Sequence, residues 1–160
     1  MSTHPAVDVV EAHLRERGVT AEVRWLDDTA TTAVAAAAAL NIEPGAIANS
    51  LVFLLDGAPI LVMTSGAHRV DTIWLGEQLG GTISRASKEQ VKLATGQVIG
   101  GVAPVGHPKP IRTVVDVELA KFAEVWAAAG HAKTVFPTTF TELLMLTGGA
   151  ALTVERRELP

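Results

Sequence analysis

The chain has 160 residues, enough for one domain with a buried core, and 48% of them are hydrophobic while 19% are charged. It contains no Cys, which excludes a disulfide framework, a thiolate zinc site and a cysteine nucleophile, and which fits a reducing compartment. Its first ten residues lack the regions of a signal peptide, and no stretch is long and apolar enough to cross a bilayer. We therefore expect one cytoplasmic domain over residues 1–160, with no membrane contact.

The net charge of −4 is unevenly distributed along the chain. Residues 1–81 carry four Arg against ten acids, whereas residues 82–115 carry five basic residues against Glu89 alone. A protein that coats nucleic acid is basic overall, so one basic segment in an acidic chain suits limited contact with a polyanion. The alternative is a solvated basic face that has no partner.

The first half of the chain alternates between helix and strand signals. Asp56-Gly57 stands between two apolar runs, which predicts a hairpin of two buried strands. In chain order we predict a helix capped by Thr3 and ended by Gly18, a strand over Val19–Leu26, an alanine-rich helix capped by Thr31 or Thr32 and ended by Asn41, a turn over Glu43–Gly45, and strands over Ser50–Leu55 and Pro59–Thr64.

The second half contains more glycine and proline, but the same signals recur. In chain order we predict helices over Val70–Leu79 and Ser87–Thr95, a loop around a short strand over Gln97–Pro110, strands over Ile111–Val117, Glu124–Ala128 and Thr134–Phe136, a helix over Thr138–Leu146, and a short strand or a tail over the last ten residues. Trp25, Trp74 and Trp126 stand in apolar runs, so we expect them in the core. Irregular alternation with one clear hairpin predicts class α+β, a mixed sheet with flanking helices.

The segment with the most unusual composition is residues 96–107, which we call the Gly loop. Its paired glycines, Gly100 and Gly101, allow the backbone to approach a ligand closely and leave N–H groups free to point at it. Such donors stabilise the oxyanion that develops during ester hydrolysis. The alternative is a tight connection between two strands, with glycines for turns and prolines for rigidity.

The Gly loop resembles the Gly-Gly-x-x-Pro-x-Gly loop of the YbaK/EbsC family, which includes the editing domain of bacterial prolyl-tRNA synthetases. Other family segments follow in the same order: His4-Pro5-Ala6-Val7, the strand from Ile47 through Asn49 and Ser50 to Phe53, the helix from Ser87 to Gly96, and Thr113–Asp116. The resemblance covers about residues 4–147. It implies a mixed, partly barrel-like sheet with a pocket at the Gly loop, and a hydrolase that removes a mischarged amino acid from tRNA.

The resemblance also implies site residues, and it implies that neither a metal nor an organic cofactor is needed. Catalysis is expected to involve Gly100, Gly101 and Asn49. The substrate-binding residues expected are Ser50, Val102, Ala103, Pro104, Gly106, His107, His68, Arg69 and Asp116.

Asn49 stands where the family pattern has a lysine that is important for substrate binding and hydrolysis. An asparagine side chain donates and accepts hydrogen bonds but carries no charge. Three interpretations remain open: Asn49 orients substrate or water, the protein binds its ligand without hydrolysing it, or Lys88, Lys92 or Lys109 supplies the charge. Without the resemblance, Asn49 is an ordinary turn residue before a strand.

The remaining polar candidates each have a structural alternative. His68 and Arg69 either line the pocket rim or begin a helix with Asp71, and Asp116 either orients a ligand or makes a structural hydrogen bond. His107 is either a proton shuttle or an exposed loop residue. The other histidines show no metal-ligand spacing, so we predict no metal site.

Three functions are compatible with these observations. The first is deacylation of mischarged aminoacyl-tRNA in trans, with tRNA as the partner. The second is a non-catalytic module that binds charged tRNA or partners an aminoacyl-tRNA synthetase. The third is a pocket protein for a small aminoacyl-like metabolite. The oligomeric state is left open by the sequence.

Overall fold

The structure is a computed structural model that describes residues 4–20, 22–27, 30 and 32–155. Its helices are α1 (Pro5–Glu16), α2 (Ala33–Leu40), α3 (Thr72–Leu79), α4 (Lys88–Thr95) and α5 (Phe140–Thr147), with 3-10 turns at Pro44–Ala46 and Val117–Lys121. Its strands are β1 (Arg24–Trp25), β2 (Ile47–Leu55), β3 (Ala58–Ser65), β4 (Ile83–Arg85), β5 (Arg112–Asp116), β6 (Val125–Ala128), β7 (Thr134–Thr138) and β8 (Ala150–Leu152).

The strands form one mixed sheet in the order β1-β7-β6-β2-β3-β5-β8, with β4 paired to β2 outside this path. The hairpin β2–β3 is antiparallel, whereas β6 runs parallel to β2 and β5 runs parallel to β3. The sheet does not close into a barrel, because β1 and β8 stand at its two ends. The predicted α+β class with a mixed sheet and flanking helices is confirmed.

The central hairpin forms where its turn chemistry predicts. Asp56 and Gly57 both adopt positive φ, at 49° and 86°, as the two-residue hairpin turn requires. Both strands are longer than predicted, because pairing extends from Leu55↔Ala58 to Ala48↔Ser65. Burial of both strands is only partly correct: β3 is buried from Ile60 to Ser65, but residues 51–54 of β2 are half-buried.

Helix ends follow the predicted caps in most places. The side chains of Thr32 and Ser87 accept hydrogen bonds from the backbone of α2 and α4, and Ser87 forms a capping box with Gln90. α3 begins later than predicted, because the Asp71 side chain caps it by accepting from Trp74 N. The predicted caps Thr3 and Thr31 lie outside the described residues.

Two strand predictions and one omission need correction. The strand expected over Val19–Leu26 is reduced to Arg24–Trp25, because β7 offers partners only to those two residues. The strand expected inside the Gly loop does not form anywhere in residues 97–110. β4 was not predicted, and it pairs with the end of β2.

The two faces of the sheet carry separate cores. On one face, Leu61, Met63 and Val115 pack with α1, α4, α5 and the Gly loop. On the other face, α3 covers the β3–β5 half and α2 covers Ile47 and Trp126. The core prediction is wrong for Trp25, whose side chain is 49% exposed. No helix in the described part of the chain is long and apolar enough to span a bilayer.

Candidate functional site

A cavity opens where β2 has no strand partner along one edge. On that edge β2 pairs with β6 only at Ile47 and Ala48, and with β4 only from Phe53 to Leu55. Residues 49–52 therefore lie beside a gap between β6 and β4 in the described part of the sheet. A cavity of about 70 Å³ occupies this region, lined by Ala30, Thr32, Ala33, Ala36, Ile47, Ala48, Asn49, Ser50, Gly100, Val102, Trp126, Ala128, Ala132, Thr134 and Val135. We call it the edge cavity.

The Gly loop reaches the edge cavity because it packs against the turn between β6 and β7. Gly130 N donates to Gly101 O over 2.9 Å. A Cβ atom on Gly101 would stand 2.6 Å from the carbonyl carbon of His131 and 2.7 Å from Ala132 N, so only glycine allows this approach. Gly100 adopts φ +88°, which favours glycine as well. The paired glycines thus bring the loop backbone to the mouth of the cavity.

At the edge cavity, two amide groups of the Gly loop have no acceptor among the described residues. Gly101 N donates to Val98 O and Ala103 N donates to the Gln97 side chain. The N–H groups of Gly100 and Val102 donate no hydrogen bond to any described residue. Both residues line the edge cavity, and Val102 is buried. Gly100 is exposed whereas Val102 is buried, so the cost of an unpaired amide applies to Val102, and both N–H groups are available to a ligand.

Ser50 and Asn49 bring side-chain polar groups to the same cavity. Successive residues of a strand point to opposite faces, yet both residues line the cavity because it lies at the unpaired edge of β2. Ser50 is 8% exposed, and its hydroxyl has no hydrogen-bond partner among the described atoms. Asn49 is exposed and pairs across the hairpin with Thr64.

The lining of the edge cavity combines polar and apolar groups and contains no titratable side chain from the described residues. Its polar groups are the side chains of Asn49, Ser50, Thr32 and Thr134 together with backbone amides. Such groups can bind, orient and stabilise charge, but they cannot act as a general base near neutral pH. His131 does not line the cavity but precedes Ala132, which does. Burial lowers the pKa of His131, and the proximity of His4 lowers it further.

Asp116 and His68 lie in a separate hydrogen-bonded cluster. The fully buried carboxylate of Asp116 accepts from Ser65 N over 3.0 Å and from Glu118 N over 3.0 Å, and its Oδ2 lies 2.9 Å from His68 Nδ1. Thr64 Oγ1 also donates to Asp116, and Thr64 is the cross-strand partner of Asn49. The cluster therefore adjoins position 49 through Thr64 but does not line the edge cavity.

The other predicted site residues lie farther from the edge cavity. Arg69 donates its backbone N–H to Glu155, and Ala103 is fully buried. Pro104, Gly106 and His107 line a second cleft beside α1. The structure thus brings Asn49, Ser50, Gly100 and Val102 to one cavity, with Gly101 supporting its wall, and it places the rest elsewhere. The functional roles of all these residues stay predictions.

Sequence reasoning missed several residues that build the site. Gln97 is 1% exposed and holds the Gly loop in shape, because it accepts from Ala103 N and donates to Val105 O. Thr134 supports the β6–β7 turn by accepting from His131 N and donating to His131 O. A glutamine beside a glycine-rich loop was a usable signal, whereas the alanines of α2 that line the cavity gave none. The described residues contain no cluster of His, Asp or Glu that could hold a metal ion.

Comparisons with known proteins show what this chain is similar to. A family model described as the aminoacyl-tRNA editing domain matches residues 27–146. A proline–tRNA ligase of Bacillus licheniformis is 32% identical over 133 residues, which are 80% of this chain and 23% of the ligase. The uncharacterized protein YwhH of Bacillus subtilis is 27% identical over 135 residues, which are 84% of this chain and 86% of YwhH.

A solved structure agrees over nearly the whole chain. It is described provisionally as a trans-editing enzyme for prolyl tRNA synthetase, and it matches with a TM-score of 0.92 and 36% identity. The match covers 98% of this chain and 100% of that one. The match therefore spans less than a quarter of the ligase but the whole of this solved relative.

Proposed function

This chain belongs to the aminoacyl-tRNA editing domain family, and from that membership we propose that it hydrolyses the ester bond of mischarged aminoacyl-tRNA in trans. The observation that carries the proposal is the group of unpartnered polar atoms at the edge cavity. The buried Ser50 hydroxyl and the N–H groups of Gly100 and Val102 have no partner among the described residues, yet all three residues line one cavity. Unsatisfied polar groups at one place favour a ligand with matching polar atoms.

In the proposed reaction, water adds to the carbonyl carbon of the ester, the bond from that carbon to the ribose oxygen breaks, and the ribose oxygen takes up a proton. Negative charge develops on the carbonyl oxygen as water adds. The free amides of Gly100 and Val102 are the candidate donors for that oxygen. Because no titratable side chain among the described residues lines the cavity, we assign proton transfer to water and to the substrate's own amine and hydroxyl groups.

The size of the edge cavity favours a small aminoacyl group. About 70 Å³ holds a few water molecules or one small side chain, well below the ~300–1,000 Å³ of pockets that enclose drug-sized ligands. In this proposal only the aminoacyl end enters the cavity and the nucleotides remain outside. Ala33, Ala36 and Ala128 line the cavity with short side chains and leave space for that end.

The test is a panel of tRNAs charged with small and large amino acids, with release of the amino acid as the readout. We expect turnover for at least one small amino acid. Ser50→Ala is expected to slow that turnover about tenfold, since it removes one hydrogen-bonding group. Ser84→Ala, an exposed serine on β4, is the matched control and should leave the rate unchanged. Absence of turnover above buffer for the whole panel would exclude hydrolysis by this chain.

A non-catalytic binding module is the second candidate, and the uncharged side chain at position 49 is the observation that favours it. In that case the chain binds charged tRNA, or partners a synthetase, without releasing the amino acid. Asn49→Lys separates the two candidates, because it supplies the charge that the resemblance predicts at this position. Turnover that appears only in Asn49→Lys, together with salt-sensitive binding of charged tRNA by the natural chain, would identify the natural chain as a binding module.

A further inference from the structure

A second cleft lies beside α1, and its charged lining is entirely basic. It has a volume of about 250 Å³ and is lined by His13 of α1, by Arg17 at the C-cap of α1, by residues 104–107 and 109–111, by Thr113, and by Leu146 and Thr147 of α5. Residues 104–111 contribute His107 and Lys109. No Asp or Glu of the described residues lines this cleft, although the chain as a whole is acidic. We call it the basic cleft.

The cationic groups of the basic cleft are not neutralised by carboxylates in the described structure. Arg17 Nη1 donates to His13 O over 3.2 Å and lies 3.3 Å from His13 Nδ1. Lys109 makes no hydrogen bond or ion pair with any described residue. Among the described residues, the imidazole of His107 is hydrogen-bonded to a backbone carbonyl, with its Nε2 2.8 Å from Ala103 O. Most donors of Arg17 and all donors of Lys109 therefore remain free for a ligand.

The electrostatics of His107 show that these groups repel one another. Burial lowers the pKa of His107, and the nearby His13 and Arg17 lower it further, while the hydrogen bond to Ala103 opposes the shift. The described residues of α5 that line the cleft carry no charge. An anion placed in the cleft would relieve this repulsion and would stabilise the protonated imidazole.

From this geometry we propose that the basic cleft binds a phosphate group. A guanidinium fork and a flexible ammonium group facing one cavity are the donors that proteins use for phosphate, and the two imidazoles supply further N–H groups. The phosphate comes either from an RNA backbone or from a small free anion. The basic cleft and the edge cavity share no lining residue: Val102 lines the edge cavity and Pro104 lines the basic cleft. The proposed phosphate site therefore does not depend on ester hydrolysis at the edge cavity.

The test uses two probes, inorganic phosphate and uncharged tRNA, and reads the imidazole resonances of His107 by NMR in phosphate-free buffer. We expect saturable shifts and an upward change in the pKa of His107 when a phosphate group binds. Arg17→Gln and Lys109→Gln should each weaken binding about tenfold, because each removes charge-assisted hydrogen bonds. Arg15→Gln, an equal charge change on an exposed part of α1, is the matched control and should bind as the natural chain does.

Each arm of the experiment identifies the source or overturns the proposal. Saturation by inorganic phosphate supports a small anion as ligand. Saturation by tRNA alone supports an RNA backbone. In that case the slope of log K against log salt concentration should become shallower by about one in Arg17→Gln but not in Arg15→Gln, because one phosphate contact is lost. No saturation with either probe, or equal weakening by Arg15→Gln and Arg17→Gln, would overturn it. Because no readout requires turnover, failure here is distinct from failure of the proposed hydrolysis.

Discussion

Replacement of Gln97 by methionine tests whether one buried amide holds the Gly loop in its functional shape. Methionine has a similar length but makes neither of the two hydrogen bonds, so Ala103 N–H and Val105 C=O lose their partners. Both of these residues are buried, at 0% and 3% exposure, so water cannot replace the lost bonds without loop opening. Each orphaned group costs about 1–3 kcal/mol, and added apolar contacts offset part of the sum. We expect a loss of about 3 kcal/mol in the free energy of unfolding.

The assay is urea unfolding, with the midpoint and the slope measured separately for each variant. A loss of that size in a domain of this length lowers Tm by roughly 6–12 °C. Gln78→Met is the matched control, because the Gln78 amide also donates to a backbone carbonyl, Thr153 O, but is exposed. We expect the control to lose less than about 0.5 kcal/mol. If the two variants lose the same stability, Gln97 does not organise the loop and the reasoning is refuted.

Three further predictions concern the contact of Gly101 with the β6–β7 turn, the buried carboxylate of Asp116 and the protonation of His107. Gly101→Ala should cost about 1–3 kcal/mol by thermal unfolding and slow deacylation, because its Cβ would meet the backbone of His131 at 2.6 Å. Asp116→Asn should cost about 2–4 kcal/mol in urea, because an amide cannot accept from all the donors that surround the buried carboxylate. Burial lowers the pKa of His107 below 6.5, so the folded state favours the neutral imidazole; stability should be constant above that pH and should fall as the pH drops below it. His107→Gln should reduce this loss when unfolding is followed from about pH 8 to about pH 5.5 in phosphate-free buffer.

The parts of the fold that the sequence predicted are those decided by local chemistry. The Asp56-Gly57 turn and the Ser87 cap need only their own side chains and backbone, and both formed as predicted. β1 was overestimated because the length of a strand depends on its partner, and β7 pairs with only two of its residues. β4 has three residues, too few for a periodic pattern, and it exists because the end of β2 offers an edge.

The candidate site was predictable only where the resemblance carried it. Asn49, Ser50 and Gly100 line one cavity, but the roles that the resemblance implies for them stay predictions. The Gly loop has no periodic pattern, so the sequence does not indicate which way each of its side chains points. The division of the loop between the edge cavity and the basic cleft was therefore not predicted. Val102 and Pro104 are two residues apart, yet each lines a different cavity. The walls formed by α2 and the β6–β7 turn consist largely of small residues, which carry no chemical signal.

Two polar regions of the protein differ in how fully their buried polar groups are hydrogen-bonded. Asp116 is the more conspicuous residue, a fully buried acid beside a histidine, but its carboxylate accepts several hydrogen bonds and so has a sufficient structural role. Ser50 is chemically modest, but its buried hydroxyl lacks a partner among the described atoms, and two free amides line the same cavity. Native proteins satisfy buried polar groups almost everywhere, and the exceptions concentrate at functional sites. We therefore propose the edge cavity, rather than the Asp116 cluster, as the place where a ligand binds.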